Sequence, residues 1–179
     1  MKNPGVLVVL RGNSGSGKSS VAAAVQRRFE RGTCAVVSQD AVRRQLLREP
    51  DEPDRLNIAL IEHIALFCLA RGLITIVEGI LDAQRYSAML ERVASNADAA
   101  LFYAFDLSLA ETLTRHAQRP QAASIPPELM EQWYHGWQPL AFTTETRIDS
   151  TWPLEAITDR ICRDLAATGV STHPDDTTP

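Results

Sequence analysis

Cysteines and long hydrophobic runs are scarce in this chain, and each shortage excludes a class of protein. Its 179 residues include three cysteines, Cys34, Cys68 and Cys162, an odd number at wide spacing in apolar surroundings. That pattern argues against a disulfide framework and against a zinc site. No apolar run reaches the roughly 18 residues that a transmembrane helix needs, and no secretory leader opens the chain. We therefore expect a cytoplasmic protein with reduced core cysteines and no membrane partner.

An excess of positive charge is also missing. The chain has 18 Lys and Arg residues against 22 Asp and Glu residues, a formal net charge of -4 at pH 7 and a pI of about 5.6. Nucleic-acid-binding proteins normally carry a basic stripe, so this balance argues against a nucleic-acid partner. With 45% hydrophobic residues the chain can fill one core. We expect one domain over residues 1–168, as a monomer or homodimer, and a disordered tail over 169–179.

What the sequence does contain is a phosphate-binding motif. Residues 12–19, GNSGSGKS, match the pattern G-x-x-x-x-G-K-[ST] and follow an apolar run at 6–10 that predicts a buried strand. After the motif, Val21, Val25 and Phe29 recur at helical spacing, so the motif lies between a strand and a helix. Glycines allow the backbone N–H groups of such a loop to close around a triphosphate. The sequence therefore predicts an ATP site.

Two side chains of this loop have specific expected roles. Lys18 reaches the β- and γ-phosphates as a point charge, and the Ser19 hydroxyl is a ligand of the Mg²⁺ ion that bridges the same phosphates. We expect ATP and Mg²⁺ as cofactors. The other nucleotide-binding positions contribute backbone groups or small polar side chains, and they are Gly12, Asn13, Ser14, Gly15, Ser16, Gly17 and Ser20.

Apolar β-rich runs alternate with helical patterns along the whole chain. This alternation is typical of an α/β protein with a parallel sheet and helices on both faces. The predicted strands lie near residues 5–11, 34–39, 73–78, 99–106 and 145–149. The predicted helices lie near residues 18–31, 40–48, 54–71, 83–95, 108–117, 127–136 and 153–167.

Three acids follow apolar runs, at the carboxyl ends of predicted strands where ligands bind in open parallel sheets. Asp40 is the candidate base for the proton of an acceptor hydroxyl, although the position also suits a helix N-cap. Glu78 either holds Mg²⁺ through water, orients the acceptor, or forms a buried ion pair. For Asp106 a loop role is favoured, because a capping box formed by Ser108 and Glu111 follows it.

Arginines supply the cations that phosphoryl transfer requires. Arg115 and Arg119 are spaced by four and can present two guanidinium groups to phosphate oxygens from a flexible lid near residues 115–126. The alternative for this pair is a solvated helix end that complements the helix dipole. Arg43 and Arg44 follow Asp40 directly, and either they contact the acceptor or one of them faces water.

Four strings together resemble the small P-loop kinases related to adenylate kinase, shikimate kinase, chloramphenicol phosphotransferase, polynucleotide kinase and zeta-type toxins. The strings are residues 10–19, 38–40, 77–81 and 115–120, and the resemblance extends over about residues 4–167. It implies a three-layer α/β/α P-loop NTPase fold with a five-stranded parallel sheet of order 2-3-1-4-5. It also implies a base matching Asp40, lid arginines matching Arg115 and Arg119, and an adenine beside residues 150–154.

These parts predict an ATP-dependent phosphotransferase that moves the γ-phosphate to a hydroxyl of a small molecule. A metabolite, a nucleoside or an antibiotic would serve as acceptor. The alternatives are a 5′-hydroxyl polynucleotide kinase, a zeta-like toxin kinase and, outside enzymes, an ATP-binding regulatory switch. The sequence has no Asn-Lys-x-Asp string of guanine recognition and no shikimate- or nucleotide-recognition pattern, so it does not identify the acceptor.

Overall fold

The computed structural model describes residues 4–50, 52–117 and 126–170. Strands and helices alternate in it, and five strands form one sheet of order β2-β3-β1-β4-β5 in which every neighbouring pair is parallel. The strands are Val6–Gly12 (β1), Cys34–Ser38 (β2), Ile74–Gly79 (β3), Ala99–Phe105 (β4) and Thr146–Ile148 (β5). The sheet order and the three-layer α/β/α architecture expected from the sequence are confirmed.

Helices cover both faces of the sheet. The α-helices in the described ranges are Lys18–Gln26 (α1), Leu56–Leu69 (α2), Ala83–Ser95 (α3), Leu109–Ala117 (α4), Pro127–Trp133 (α5) and Leu154–Ala167 (α6). A π-helix, Ala41–Leu47, follows β2. The described part of the chain contains no helix with the length and apolarity needed to span a membrane.

The central strand β1 is buried on both faces, which explains its unbroken apolar run. Alternate side chains enter different cores, because successive residues of a strand point to opposite faces. Val8 packs in the core that contains residues of α1 and α6, whereas Val9 packs in the core that contains residues of α2 and α3. Both faces therefore hold β1 in place, and the loop at its carboxyl end starts from a rigid support.

Two helices end earlier than the sequence predicts. Helix α1 ends at Gln26 rather than near residue 31, because the next N–H groups form tighter i→i−3 bonds and Phe29 turns into the core. Helix α5 ends at Trp133 rather than at 136, because Tyr134 is extended, with φ -78° and ψ 119°. The N–H of the residue after Tyr134 bonds to Asn13 instead of to a helical carbonyl.

The helix predicted near residues 40–48 has the wide π geometry. Asp40 occupies the N-cap position of this helix, as the alternative expected, but it has helical dihedrals and its side chain makes no capping hydrogen bond. The helix closes at Arg48, which adopts the left-handed conformation (φ 54°), and the N–H of Glu49 then reaches back to the carbonyl of Arg43. Wide helical turns of this kind are frequent at functional sites.

All three cysteines are free, as expected. Burial raises the pKa of the Cys34 thiol to about 12, and burial is also the main cause of the raised pKa of Cys68 and of Cys162. A raised pKa keeps these thiols protonated at neutral pH. The predicted tail beyond residue 170 and the middle of the predicted lid, with Arg119, lie outside the described residues.

Candidate functional site

The loop between β1 and α1 follows a path that requires glycine. Gly12, Gly15 and Gly17 have φ angles of 146°, 81° and 102°, a region that side chains with a Cβ rarely adopt. Space is limiting as well, since a Cβ on Gly12 would lie 2.5 Å from the carbonyl oxygen of Phe105 at the end of β4. The motif glycines thus fix the curled backbone that a phosphate-binding nest needs.

Lys18 and Ser19 carry the polar side chains at the start of α1. The buried Lys18 ammonium donates to the Asn13 carbonyl at 2.8 Å and to the Ser16 hydroxyl at 3.1 Å. The Ser19 hydroxyl donates to the carboxylate of Glu78 at 3.1 Å, and Glu78 is buried at the end of β3. A hydroxyl beside a carboxylate is the hard-oxygen pair that Mg²⁺ prefers. The donor set therefore fits both a polyphosphate and Mg²⁺.

A cleft of about 470 Å³ lies beside this loop, and we call it the small cleft. Arg115 joins two of its sides, because its guanidinium donates to the carbonyls of Ser16 and Ser150 at 3.1 Å each. The segment after β5, which the family resemblance places beside the adenine, forms part of the lining. The lining residues are Ser16, Gly17, Ser20, Val21, Phe105, Arg115, Ser150, Thr151, Trp152, Pro153, Leu154 and Ile157.

The predicted capping box at the start of α4 is present and extends to the small cleft. The Ser108 N–H donates to Glu111 at 2.7 Å, and the Glu111 N–H donates to the Ser108 hydroxyl at 3.3 Å. The Glu111 carboxylate also accepts a hydrogen bond from the Ser150 hydroxyl. The bond from Ser150, followed by those from Ser108, lowers the pKa of Glu111 to about 2. At neutral pH the ionised Glu111 carboxylate thus joins the start of α4 to Ser150 at the small cleft.

A second opening of about 960 Å³, the large cleft, lies on the other side of β1. Three arginines line it, Arg43 and Arg44 from the π-helix and Arg85 from α3, and the Arg44 guanidinium lies 5.5 Å from the ring centre of Trp133. The other lining residues are Pro50, Glu52, Pro53, Ile80, Asp82, Gln84, Gln132, Trp133, His135 and Gln138. This is a polar space with cations, carboxylates, amides and one indole.

Asp40 directly precedes the π-helix and is not itself among the residues that line the large cleft. Its carboxylate accepts from Arg43 at 3.2 Å and pairs with Arg44 at 3.1 Å, and its side chain is 65% exposed. Ser38, two residues earlier, is level with Glu78 on the next strand. Adjacent strands lie about 4.8 Å apart, so Asp40 and Glu78 belong to the same carboxyl edge of the sheet. The structure thus brings together Lys18, Ser19 and Glu78, and pairs Asp40 with both arginines.

Comparison with known proteins identifies the family. A model described as AAA domain matches residues 7–136, which contain the loop, Asp40, Glu78 and Arg115. The chain belongs to the AAA domain family. A comparison of the sequence with curated proteins gives no match.

Solved structures share the fold of this AAA domain. The APS kinase of Mycobacterium tuberculosis, in complex with AMPPNP and APS, matches with a TM-score of 0.70 and 22% identity, over 92% of this chain and 99% of the other. A gluconokinase from Sinorhizobium meliloti matches with 0.61 and 19%, over 92% and 98%. A chain of the Pnkp1/Rnl/Hen1 RNA repair complex matches with 0.53 and 21%, over 74% and 43%. The fold is that of the small P-loop kinases.

This AAA domain also contains a buried polar chain that the sequence did not indicate. The Gln39 side chain accepts from the Leu81 N–H at 3.2 Å and donates to the Tyr86 hydroxyl at 2.7 Å. That hydroxyl donates to Asn57 at 2.7 Å, and Asn57 donates to Glu49 at 2.8 Å. This series of hydrogen bonds joins the end of β2 to α2, to α3 and to the strained turn at Leu81, where φ is 47°. It fixes the elements around the large cleft.

Arg11 is a second residue of the AAA domain that sequence reasoning missed. It is 5% exposed, and its guanidinium donates to Glu145 at 2.9 Å, to the Gln138 carbonyl at 2.7 Å and to the Leu81 carbonyl at 3.3 Å. The available signal was a charge at the end of the buried apolar run of β1. Such a charge needs a partner, because an unpaired buried ion is costly. The partner, Glu145, lies too far along the chain to be assigned from the sequence.

Proposed function

We propose that the protein is an ATP-dependent phosphotransferase that moves the γ-phosphate to a hydroxyl of a small molecule in the cytoplasm. The observation that supports this most is the pair of clefts on either side of β1 at one edge of the sheet. Phosphoryl transfer requires a donor and an acceptor held in line, with cations around the moving group. The small cleft would hold the nucleotide and the large cleft would hold the acceptor.

The proposed step is a direct in-line transfer. The acceptor oxygen attacks the γ-phosphorus, the bond to the β–γ bridging oxygen breaks, ADP leaves, and the hydroxyl proton goes to Asp40. Lys18 and Arg115 stabilise charge on the moving group, and Arg119 of the predicted lid would act with them. Ser19 and Glu78 would hold Mg²⁺, which supplies charge neutralisation at the phosphates when it is bound.

The large cleft supports a small-molecule acceptor. Arg43 and Arg44 are the proposed acceptor contacts, and Asp40 is joined to both of them. Two proteins of the same fold are described as an APS kinase and a gluconokinase, whose acceptors are small molecules. The net charge of -4 gives no general attraction for a polynucleotide.

A screen of ATP consumption tests the proposal. Purified protein is supplied with Mg²⁺, ATP and panels of hydroxylated metabolites, nucleosides, antibiotics and 5′-hydroxyl oligonucleotides, and ADP release is followed together with product mass. We expect a small molecule to gain one phosphoryl group, and we expect the Lys18→Ala variant to lose this activity. Phosphorylation of oligonucleotides alone would replace the proposal with a polynucleotide kinase; one protein of the same fold belongs to an RNA repair complex.

Two further outcomes separate the remaining alternatives. ATP binding without any phosphorylated product across the panel would favour a regulatory switch. Growth arrest on expression that Lys18→Ala relieves would favour a toxin kinase. The first result would contradict transfer to a small molecule. The second would show that the phosphotransferase activity is toxic to the cell, and the product mass from the screen would then identify its acceptor.

A further inference from the structure

Trp133, the last residue of α5, and residues 134–138 after it form one side of the large cleft, and we call residues 133–138 the wall segment. Trp133, His135 and Gln138 line the large cleft, and Trp137 lines the narrow space between this segment and the loop. From Tyr134 onward the segment belongs neither to the sheet nor to a helix, since Tyr134 is already extended. Its position therefore depends on side chains that reach it from elsewhere.

Asn13 of the phosphate-binding loop supplies two of these attachments. Its side-chain oxygen accepts from the His135 N–H at 3.0 Å, and its side-chain nitrogen donates to the Gly136 carbonyl at 3.3 Å. Both ends of the amide are used, across more than 120 residues of chain, and Asn13 is 5% exposed. A buried amide with both ends paired is held in one orientation, because turning it would leave polar groups unsatisfied.

The backbone of the same residue contacts the lysine of the loop. The Asn13 carbonyl accepts a hydrogen bond from the Lys18 ammonium at 2.8 Å, a charge-assisted bond of normal strong geometry. Asn13 thus touches both the proposed phosphate cation and the wall of the other cleft. A change at either contact acts on the other through a single residue.

A separate attachment holds the far end of the wall segment to β1. The Arg11 guanidinium donates to the Gln138 carbonyl at 2.7 Å and pairs with Glu145. Gly136 lies between the two attachments, has a φ of 65°, and a Cβ built on it would meet nothing within 4 Å. Arg11 of β1 therefore anchors the wall segment at Gln138, whereas the position of His135 and Gly136 depends on the side chain of Asn13.

We propose that Asn13 is a positioning residue that couples nucleotide binding at the loop to the wall of the large cleft. The proposal rests on the proposed function, because it requires Lys18 to turn toward bound phosphates. Phosphate oxygens then compete with the Asn13 carbonyl for the Lys18 ammonium, so we expect the Asn13 peptide and its paired amide to shift, and residues 135–136 to shift with them. Nucleotide binding then prepares the large cleft for its acceptor, which makes the two binding events mutually dependent.

The three tryptophans allow a test that does not require the acceptor. Trp152 lines the small cleft, whereas Trp133 and Trp137 belong to the wall segment. Guanidinium groups lie near both wall rings, Arg44 at 5.5 Å from Trp133 and Arg147 at 4.1 Å from Trp137, so their emission is sensitive to small movements. In a Trp152→Phe variant the remaining fluorescence comes from Trp133 and Trp137. We expect AMPPNP with Mg²⁺ to change this fluorescence, and the Kd from the fluorescence titration should equal the Kd that calorimetry gives for the same variant.

Variants on both sides of the contact assign the coupling to Asn13. Asn13→Ala removes both side-chain bonds. At AMPPNP concentrations that saturate this variant by its own calorimetric Kd, we expect the wall tryptophans no longer to respond. His135→Pro removes the N–H that donates to Asn13 and leaves the loop sequence intact. Tyr134 already has dihedrals suited to the residue before a proline. His135→Ala is the matched control, because it removes the imidazole but keeps the N–H, and it should retain the response.

The possible results are distinct. Calorimetric AMPPNP binding with no wall response in the Trp152→Phe background overturns the coupling and leaves the proposed function standing. A response that persists in both Asn13→Ala and His135→Pro also overturns it. The absence of AMPPNP binding to the unmodified chain instead overturns the proposed function.

Discussion

The two sides of the candidate site are held together over very different distances along the chain. In the phosphate-binding loop, Lys18 bonds to residues two and five positions away. Around the large cleft, Gln39 bonds to residues 42 and 47 positions away, and Arg11 to a residue 134 positions away. A local backbone path can specify the first set of contacts, whereas only the finished fold can specify the second.

This difference has a functional consequence. A loop that carries its own geometry can serve the same nucleotide in many proteins, while the surfaces opposite it vary with the acceptor. The small cleft is therefore the side that a short motif identifies. The identity of the acceptor lies in the residues of the large cleft, which come from the π-helix, α3 and the wall segment.

The largest expected effect comes from a change on the large-cleft side. Asp40→Asn should lower kcat about 10²–10⁴-fold, because a general base contributes about that factor. AMPPNP binding should be nearly unchanged, since the loop contacts do not involve Asp40. Kinetics with an acceptor identified in the screen, together with calorimetry, give both quantities.

A matched control for this prediction is Asp159→Asn on α6. Asp159 is also an Asp paired with an arginine, Arg28 at 3.3 Å, but neither residue of this pair lines a cleft, whereas the arginines paired with Asp40 do. The substitution Asp159→Asn should have little effect on kcat. Full turnover by Asp40→Asn would show that this carboxylate is not the base.

The second prediction concerns the longest of these contacts. Glu145 is 2% exposed, and Glu145→Gln leaves the Arg11 guanidinium buried without its carboxylate. Breaking a buried ion pair from one side costs about 3–5 kcal/mol of unfolding free energy. Equilibrium urea unfolding measures this value. The double variant Arg11→Met/Glu145→Gln should recover part of the loss, because the uncompensated charge is gone.

An exposed ion pair of the same residue types provides the comparison. Glu155 pairs with Arg28 on the surface and is 72% exposed, so Glu155→Gln should cost about 1 kcal/mol or less. Equal costs for Glu145→Gln and Glu155→Gln would contradict the structural role assigned to Arg11.

The sequence predicted the elements well because their signals are local. The apolar runs of β1 and β3 and the glycines of the loop each depend on a few neighbouring residues, and the strand order came with the family resemblance. The ends of α1 and α5 were wrong for a different reason. Phe29 turns into the core, and Tyr134 is extended where a distant Asn13 takes the next N–H. No local pattern contains those partners.

The same reason explains what was missed at the site. The partners of Lys18 lie within the motif, so its placement could be expected. Gln39 follows an apolar run as an ordinary polar residue, and nothing nearby shows that its amide will join Leu81 and Tyr86. Arg11 is a charged residue in an apolar run, which indicates a buried charge that needs a partner. The sequence does not show that this partner is Glu145.

A third prediction sharpens the comparison at the buried polar chain. Tyr86→Phe removes the hydroxyl that accepts from Gln39 and donates to Asn57, leaving both buried amides short of a partner. We expect a loss of about 1–3 kcal/mol in unfolding free energy. The KM for the acceptor should rise while AMPPNP affinity stays the same, because these hydrogen bonds support the elements around the large cleft.

Tyr134→Phe is the control for this variant. Its hydroxyl donates to the Leu107 carbonyl at 3.2 Å from a partly exposed position. Its loss should be smaller, about 0.5–1.5 kcal/mol. A Tyr86→Phe protein that binds AMPPNP more weakly would show that the polar chain supports the small cleft too.

The smallest expected effect concerns the small cleft and its dependence on pH. Hydrogen bonds from Ser150 and Ser108 lower the pKa of Glu111 to about 2 from an ordinary 4.5. A depressed carboxyl pKa stabilises the fold above about 4.5, and this contribution is lost as the pH falls from 4.5 toward 2. The wild-type Tm should therefore fall over that range more steeply than the Tm of Glu111→Gln. Ser150→Ala should give an intermediate slope, because it removes the largest cause of the shift and keeps the carboxyl. Identical slopes for wild type and Glu111→Gln would mean that the bond to Ser150 does not hold this side of the small cleft.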